Sequence, residues 1–83
     1  MEEEALGKVI HYYDRAMVAV VRLTGGVRVG DSLKFVHHDS EFSQPVSSME
    51  IDHKKIQSAK KGEEVAIKMD KATHEGAFVY KEE

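Results

Sequence analysis

The chain has 83 residues, no cysteine and a formal net charge of −3. That length allows one small domain, and without thiols it has neither disulfides nor thiolate-held zinc, so a hydrophobic core must carry its stability. The acidic balance argues against a protein whose main business is non-specific binding to phosphate backbones, which needs a surplus of Lys and Arg.

Residues 8–13, Lys8-Val9-Ile10-His11-Tyr12-Tyr13, alternate as a strand, with Val9, His11 and Tyr13 on one face and Ile10 and Tyr12 on the other. A short break at Asp14-Arg15-Ala16 leads into Met17 to Leu23, apolar at nearly every position and expected to be a strand buried on both sides and paired with the first as a hairpin. Thr24-Gly25-Gly26 breaks the pattern. Gly26-Val27-Arg28-Val29-Gly30-Asp31-Ser32-Leu33 then reads as a strand-turn-strand corner, because its glycines supply backbone freedom that a helix would not use. Ser32 to His38 alternates again, with Leu33, Phe35 and His37 together, and Asp39-Ser40-Glu41 is a polar loop. Phe42 to Asp52 reads as one long strand with Pro45 marking an edge or a bulge. The connection from His53 to Glu64 is the one place where a helical turn fits, ended by Gly62. Strands resume at Val65 to Met69 and Gly76 to Lys81. Val9, Val18, Val20, Leu33, Phe35, Met49, Ile51, Val65, Ile67 and Val79 are the expected core.

About six short antiparallel strands in so small a chain either expose edges or close on themselves, and a closed barrel removes the edges. The expected fold is therefore an all-β, closed six- to seven-stranded antiparallel barrel with Greek-key connections. It occupies residues 1–83 as a single domain with a core from about 7 to 81, and the acidic ends at 1–5 and 82–83 are expected to fray.

Chemistry is sparse. His37-His38-Asp39 offers consecutive ligand types, but neighbours on a strand face opposite ways, so a designed metal site is not expected, although His37, His38 and a distant histidine invite adventitious nickel or zinc. No serine or threonine sits in a nucleophile motif, and no Gly-x-x-x-x-Gly-Lys-Ser/Thr phosphate loop is present, so neither an enzyme activity, a nucleotide nor any other cofactor is expected. Lys54, Lys55, Lys60 and Lys61, together with Arg15 and a stacking Tyr12, are the best candidates for contact with RNA or a partner. No apolar run approaches the roughly 20 residues of a membrane span, and the acidic start is unlike a signal peptide, so a cytoplasmic protein is expected. A third of the residues are charged, and asparagine is absent, a composition that leans toward a thermophilic source.

Two resemblances rest on particular residues. Gly26 with Gly30-Asp31, Val46-Ser47-Ser48-Met49, and Ala59-Lys60-Lys61-Gly62-Glu63-Glu64-Val65-Ala66-Ile67 resemble, in order, the motifs of the second domain of translational GTPases such as elongation factor Tu. Glu63 and Ala66 depart from the Asp and Gly of that pattern. His11-Tyr12-Tyr13-Asp14, Val29-Gly30-Asp31, Val46 to Met49 and Val79-Tyr80-Lys81 are similar to the C-terminal β-domain of collagenase-like bacterial peptidases, over roughly residues 7 to 81. The first resemblance implies a free-standing binding module that contacts RNA or a ribonucleoprotein of the translation apparatus. The second implies an accessory domain that docks on a separately encoded peptidase-like or modifying enzyme. Monomer and dimer are equally compatible with both.

Overall fold

A computed structural model describes residues 5–38 and 40–82. The described residues form ten strands: β1 Gly7–Tyr13, β2 Val18–Leu23, β3 Val27–Arg28, β4 Ser32–His37, β5 Ser40–Pro45, β6 Met49–Ile51, β7 Lys54–Ile56, β8 Ser58–Ala59, β9 Glu64–Lys68 and β10 Phe78–Glu82. None of the described residues is helical. Eight strands make one sheet in the order β5-β4-β10-β1-β2-β9-β6-β7, and β3 pairs with β8 in a second, two-stranded sheet. Every pairing is antiparallel.

The all-β, antiparallel expectation holds, but the closed barrel does not. β5 and β7 stand at opposite edges of the eight-stranded sheet and are not paired with each other. Instead the sheet curls around one apolar cluster, whose largest members are Phe35, Leu23, Leu33, Met49, Ile67 and Met69. The Cα radius of gyration is 11.3 Å, close to the roughly 12 Å of a compact chain this long. Phe42 on β5 stacks on Phe35 of β4 with ring centroids 5.4 Å apart. Where a ladder would close the barrel, a side chain does part of that job. The buried carboxamide of Gln44 on β5 donates to the Lys68 carbonyl at 3.0 Å and accepts from the Asp70 amide at 2.8 Å, fastening an edge strand to the end of β9. Pro45 removes a donor from the β5 edge, and Lys54 and Lys55 put charge on the β7 edge, which suits edges that must not recruit further strands.

Two matching corners flank the small sheet. In Arg28-Val29-Gly30-Asp31, Asp31 accepts from the Arg28 amide at 3.0 Å, and in Lys60-Lys61-Gly62-Glu63, Glu63 accepts from the Lys60 amide at 2.8 Å. Gly30 and Gly62 take φ of 100° and 93°, a region that only glycine enters without strain. The shared device explains why Glu63 serves where the resembled motif has Asp. The first corner is pinned further by Gly30 donating to the Val46 carbonyl and Val46 donating to that of Asp31, at 2.9 and 2.8 Å.

Four expectations need correction. Phe42 to Asp52 is not one strand, because the chain leaves β5 after Pro45, crosses the domain through residues 46–48, and enters β6 beside β9. The expected helical turn between His53 and Glu64 is absent: β7 and β8 occupy it, in different sheets. On β2 the fully buried residues are Ala19, Val21 and Leu23, while Val18 and Val20 are half-buried on the outer face. Ile51 is likewise only half-buried. A register shift between Val9 and His11 changes the parity of β1, so Tyr12 pairs with Ala19 over the core while His11 and Tyr13 face outward. The expectation that residues 1–5 and 82–83 fray lies, for residues 1–4 and 83, outside the described residues. Among the described residues, Glu82 pairs with Ser32, and Thr24 donates to the Ala5 carbonyl at 2.9 Å.

Candidate interaction surface

Tyr12 is not free to stack on a ligand: it packs against the core and its hydroxyl donates to the Met17 sulfur at 3.3 Å. Tyr13, 55% exposed, is the aromatic that the register shift turns outward. Arg15 is exposed in the β1–β2 turn. Lys54 and Lys55 lie on the β7 edge and Lys60 and Lys61 in the corner after β8, so these four exposed lysines belong to different sheets and do not wind around one turn.

What the strands do assemble is the outer face of β1, β2, β9 and β6. Val18 pairs with Lys68, and Val20 with Ala66, which in turn pairs with Glu50. These small apolar groups floor a concavity of about 470 Å³ whose rim carries Tyr13, Ser48, Glu50, His53 and Lys68. Lys68 is held by its bond to the Ala16 carbonyl at 2.9 Å. Asp52 and His53 make the two-residue β6–β7 turn with φ of 52° and 65°, a left-handed pair usually given to Asn-Gly. His53 thus stands at the rim on strained backbone. Alternation along β2 could have revealed this face, since Arg22 must point outward and therefore takes Val20 and Val18 with it.

A second cluster gathers at the tip of the β4–β5 hairpin. The His37 ring lies 4.3 Å from that of His38 and 4.9 Å from that of His74, centroid to centroid. Partial burial, then the neighbouring His38 and His74, hold the His37 imidazole below the ordinary histidine value. Among the described residues no group of three or more His, Asp or Glu side chains is arranged to hold a metal ion. His74 is the distant histidine that the sequence alone could not name. No helix of the described residues is long and apolar enough to cross a membrane.

Comparison with known proteins bears on the fold directly. The C-terminal domain of a Geobacillus thermoleovorans protein assigned to the U32 peptidases superposes with a TM-score of 0.89 at 21% identity, covering 98% of this chain and 93% of that domain. The fold is that of this C-terminal domain. Its selenomethionine variant gives a TM-score of 0.86 at 20% identity, over 93% of this chain and 98% of that one. An uncharacterised protease of Methanocaldococcus jannaschii is 33% identical over 76 residues, 90% of this chain. The chain spans about a fifth of the length of that curated relative, 19%. No protein-family profile matches. Of the two resemblances drawn from the sequence, these relatives support the peptidase one and lend nothing to the translation-factor one.

Proposed function

We infer that this chain is a non-catalytic accessory domain that docks on the catalytic part of a peptidase-like protein through the outer concavity between Tyr13 and His53. One observation carries the reading: nearly the whole chain matches one fifth of a longer protease. The solved domains of the same fold support it, being the C-terminal parts of a peptidase. The concavity has the make-up of an anchor seat, with a small aliphatic floor from Val18, Val20 and Ala66 inside a polar rim. A stable complex would bury roughly 800 Å² on each partner. RNA contact through Lys54, Lys55, Lys60 and Lys61 gains no support from their placement on separate sheets.

Capture of the tagged chain from its native lysate, with mass spectrometry of what is retained at low and at high salt, tests the reading. The expected result is one peptidase-like polypeptide that stays bound at high salt, since apolar contacts survive or strengthen there, and that is lost from a Val20→Lys chain of unchanged thermal stability. Recovery of ribosomal RNA or ribosomal subunits that wash off with salt would instead restore the translation-factor reading and sink this one.

A further inference from the structure

β10 lies between β4 and β1, and its outward side chains Phe78 and Tyr80 have lysines on both flanking strands. Val79 between them is fully buried, which sets that direction. Phe78 is 45% exposed, with Lys8 Nζ of β1 over its ring at 5.6 Å; Lys34 Nζ of β4 sits over Tyr80 at 5.8 Å. Across the next strand, Lys8 pairs with Arg22, which is bound to Glu64 at 2.8 Å. Neither Lys8 nor Lys34 has a carboxylate at ion-pair distance among the described residues. Glu82, two residues beyond Tyr80, is the acid that follows on the same face. A concavity of about 670 Å³ opens beside Phe78, lined also by Lys8, Ile10, Arg22, Thr24 and Glu75, the last of which lies 3.5 Å from His11.

We propose that this outer face of β4, β10 and β1 binds single-stranded nucleic acid, with Phe78 and Tyr80 stacking on successive bases and Lys8 and Lys34 on the flanking phosphates. Aromatic residues two apart on a strand stand about 6.7 Å apart, twice the strand rise, a spacing that suits bases splayed along an extended strand rather than stacked in a duplex. Each lysine already sits at the cation distance of a ring, so a base can enter and leave the ammonium free for phosphate. None of the described residues forms a helix to enter a groove, so duplex binding is not expected. This site lies apart from the Tyr13 concavity and does not depend on the docking reading.

Fluorescence anisotropy of a labelled ten-nucleotide oligouridylate with the 83-residue chain tests it. Binding should fall at least about 5-fold in Phe78→Leu, which keeps an apolar side chain but loses the stacking surface, and similarly in Tyr80→Ala, as loss of one base-aromatic stack implies. Tyr80→Phe should bind like the parent chain. With two lysine-phosphate contacts on a single strand, raising salt from 50 to 200 mM should weaken binding about 7-fold, and less in Lys8→Gln/Lys34→Gln. Lys54→Glu/Lys55→Glu should change little. An oligodeoxyuridylate arm, which differs only in lacking the 2′-hydroxyl, tells whether the sugar is read. No binding of either oligomer at 50 mM salt, or equal binding by a folded Phe78→Leu/Tyr80→Ala chain, overturns the proposal. Loss of nucleic-acid binding in Val20→Lys with Phe78 variants unaffected would also overturn it, by placing the ligand on the other surface.

Discussion

Gln44 offers a sharp test of how the curled sheet is held. Its carboxamide is 4% exposed, donates to the Lys68 carbonyl and accepts from the Asp70 amide. Gln44→Ala removes two hydrogen bonds and leaves a donor and an acceptor short of partners near the core, at a cost of about 1–2 kcal/mol each. The sum is about 2–4 kcal/mol. A chain of this length has a total stability of about 4–12 kcal/mol, so the urea midpoint at 25 °C should drop by about 2–4 M for a slope near 1 kcal/mol/M. Hydrogen exchange at the Asp70 amide should rise more than that of the β1–β2 hairpin. Gln44→Glu adds a pH signature. Its carboxylate can still accept from Asp70 but opposes the Lys68 carbonyl, which raises its folded pKa above the unfolded value of about 4.3. The neutral acid can donate to that carbonyl, so the variant should gain stability relative to the parent as pH falls through the raised folded pKa toward the unfolded one. A loss below about 0.5 kcal/mol for Gln44→Ala would show that core packing alone holds the β5 edge against β9.

Two further perturbations probe backbone and charge. Gly62→Ala meets no atom within 4 Å, so its cost isolates the φ of 93° and should be about 1–2 kcal/mol, whereas His53→Gly should stabilise the β6–β7 turn and raise the melting midpoint by a few degrees; opposite signs in thermal melts would refute the conformational assignment. Because the His37 folded pKa lies below its unfolded 6.5, its contribution is present above pH 6.5 and is lost as pH falls from there through the depressed value. His74→Gln should move the NMR titration of His37 back toward the ordinary histidine value, and an unmoved midpoint would show that His74 does not act on it.

Local pattern was enough to place β1, β4, β9 and β10, which carry apolar residues at period two between clear breakers, and β2, whose run is apolar at nearly every position. The Gly26 to Leu33 corner was equally legible, since Gly30 and Asp31 state the turn chemistry outright. β7 and β8 were not, being only three and two residues long: the lysine-rich Lys54-Lys55-Ile56 folds back on β6 across the tight Asp52-His53 turn, and Ser58-Ala59 pairs with the distant Val27-Arg28. The phase of β1 failed at Tyr12 because one extra residue at the register shift reverses every side chain after it, and nothing in Val9-Ile10-His11 announces that insertion. The Phe78 and Tyr80 face depends on β10 falling between β4 and β1, an order set by packing across the whole chain. The basic residues that stood out in sequence, Lys54, Lys55, Lys60 and Lys61, did so because they are consecutive, whereas Lys8 and Lys34 become neighbours of one strand only after folding.

The adjacency of β1 and β10 also has a mechanical side. Gly7 pairs with Val79 and Lys8 with Phe78, so the two strands that lead out of the described structure leave the ladder at the same end. Tension applied there would load the β1–β10 bonds one after another, as a zipper is opened, rather than all at once in shear. A fold held by this pair of strands would yield at low force and reclose readily.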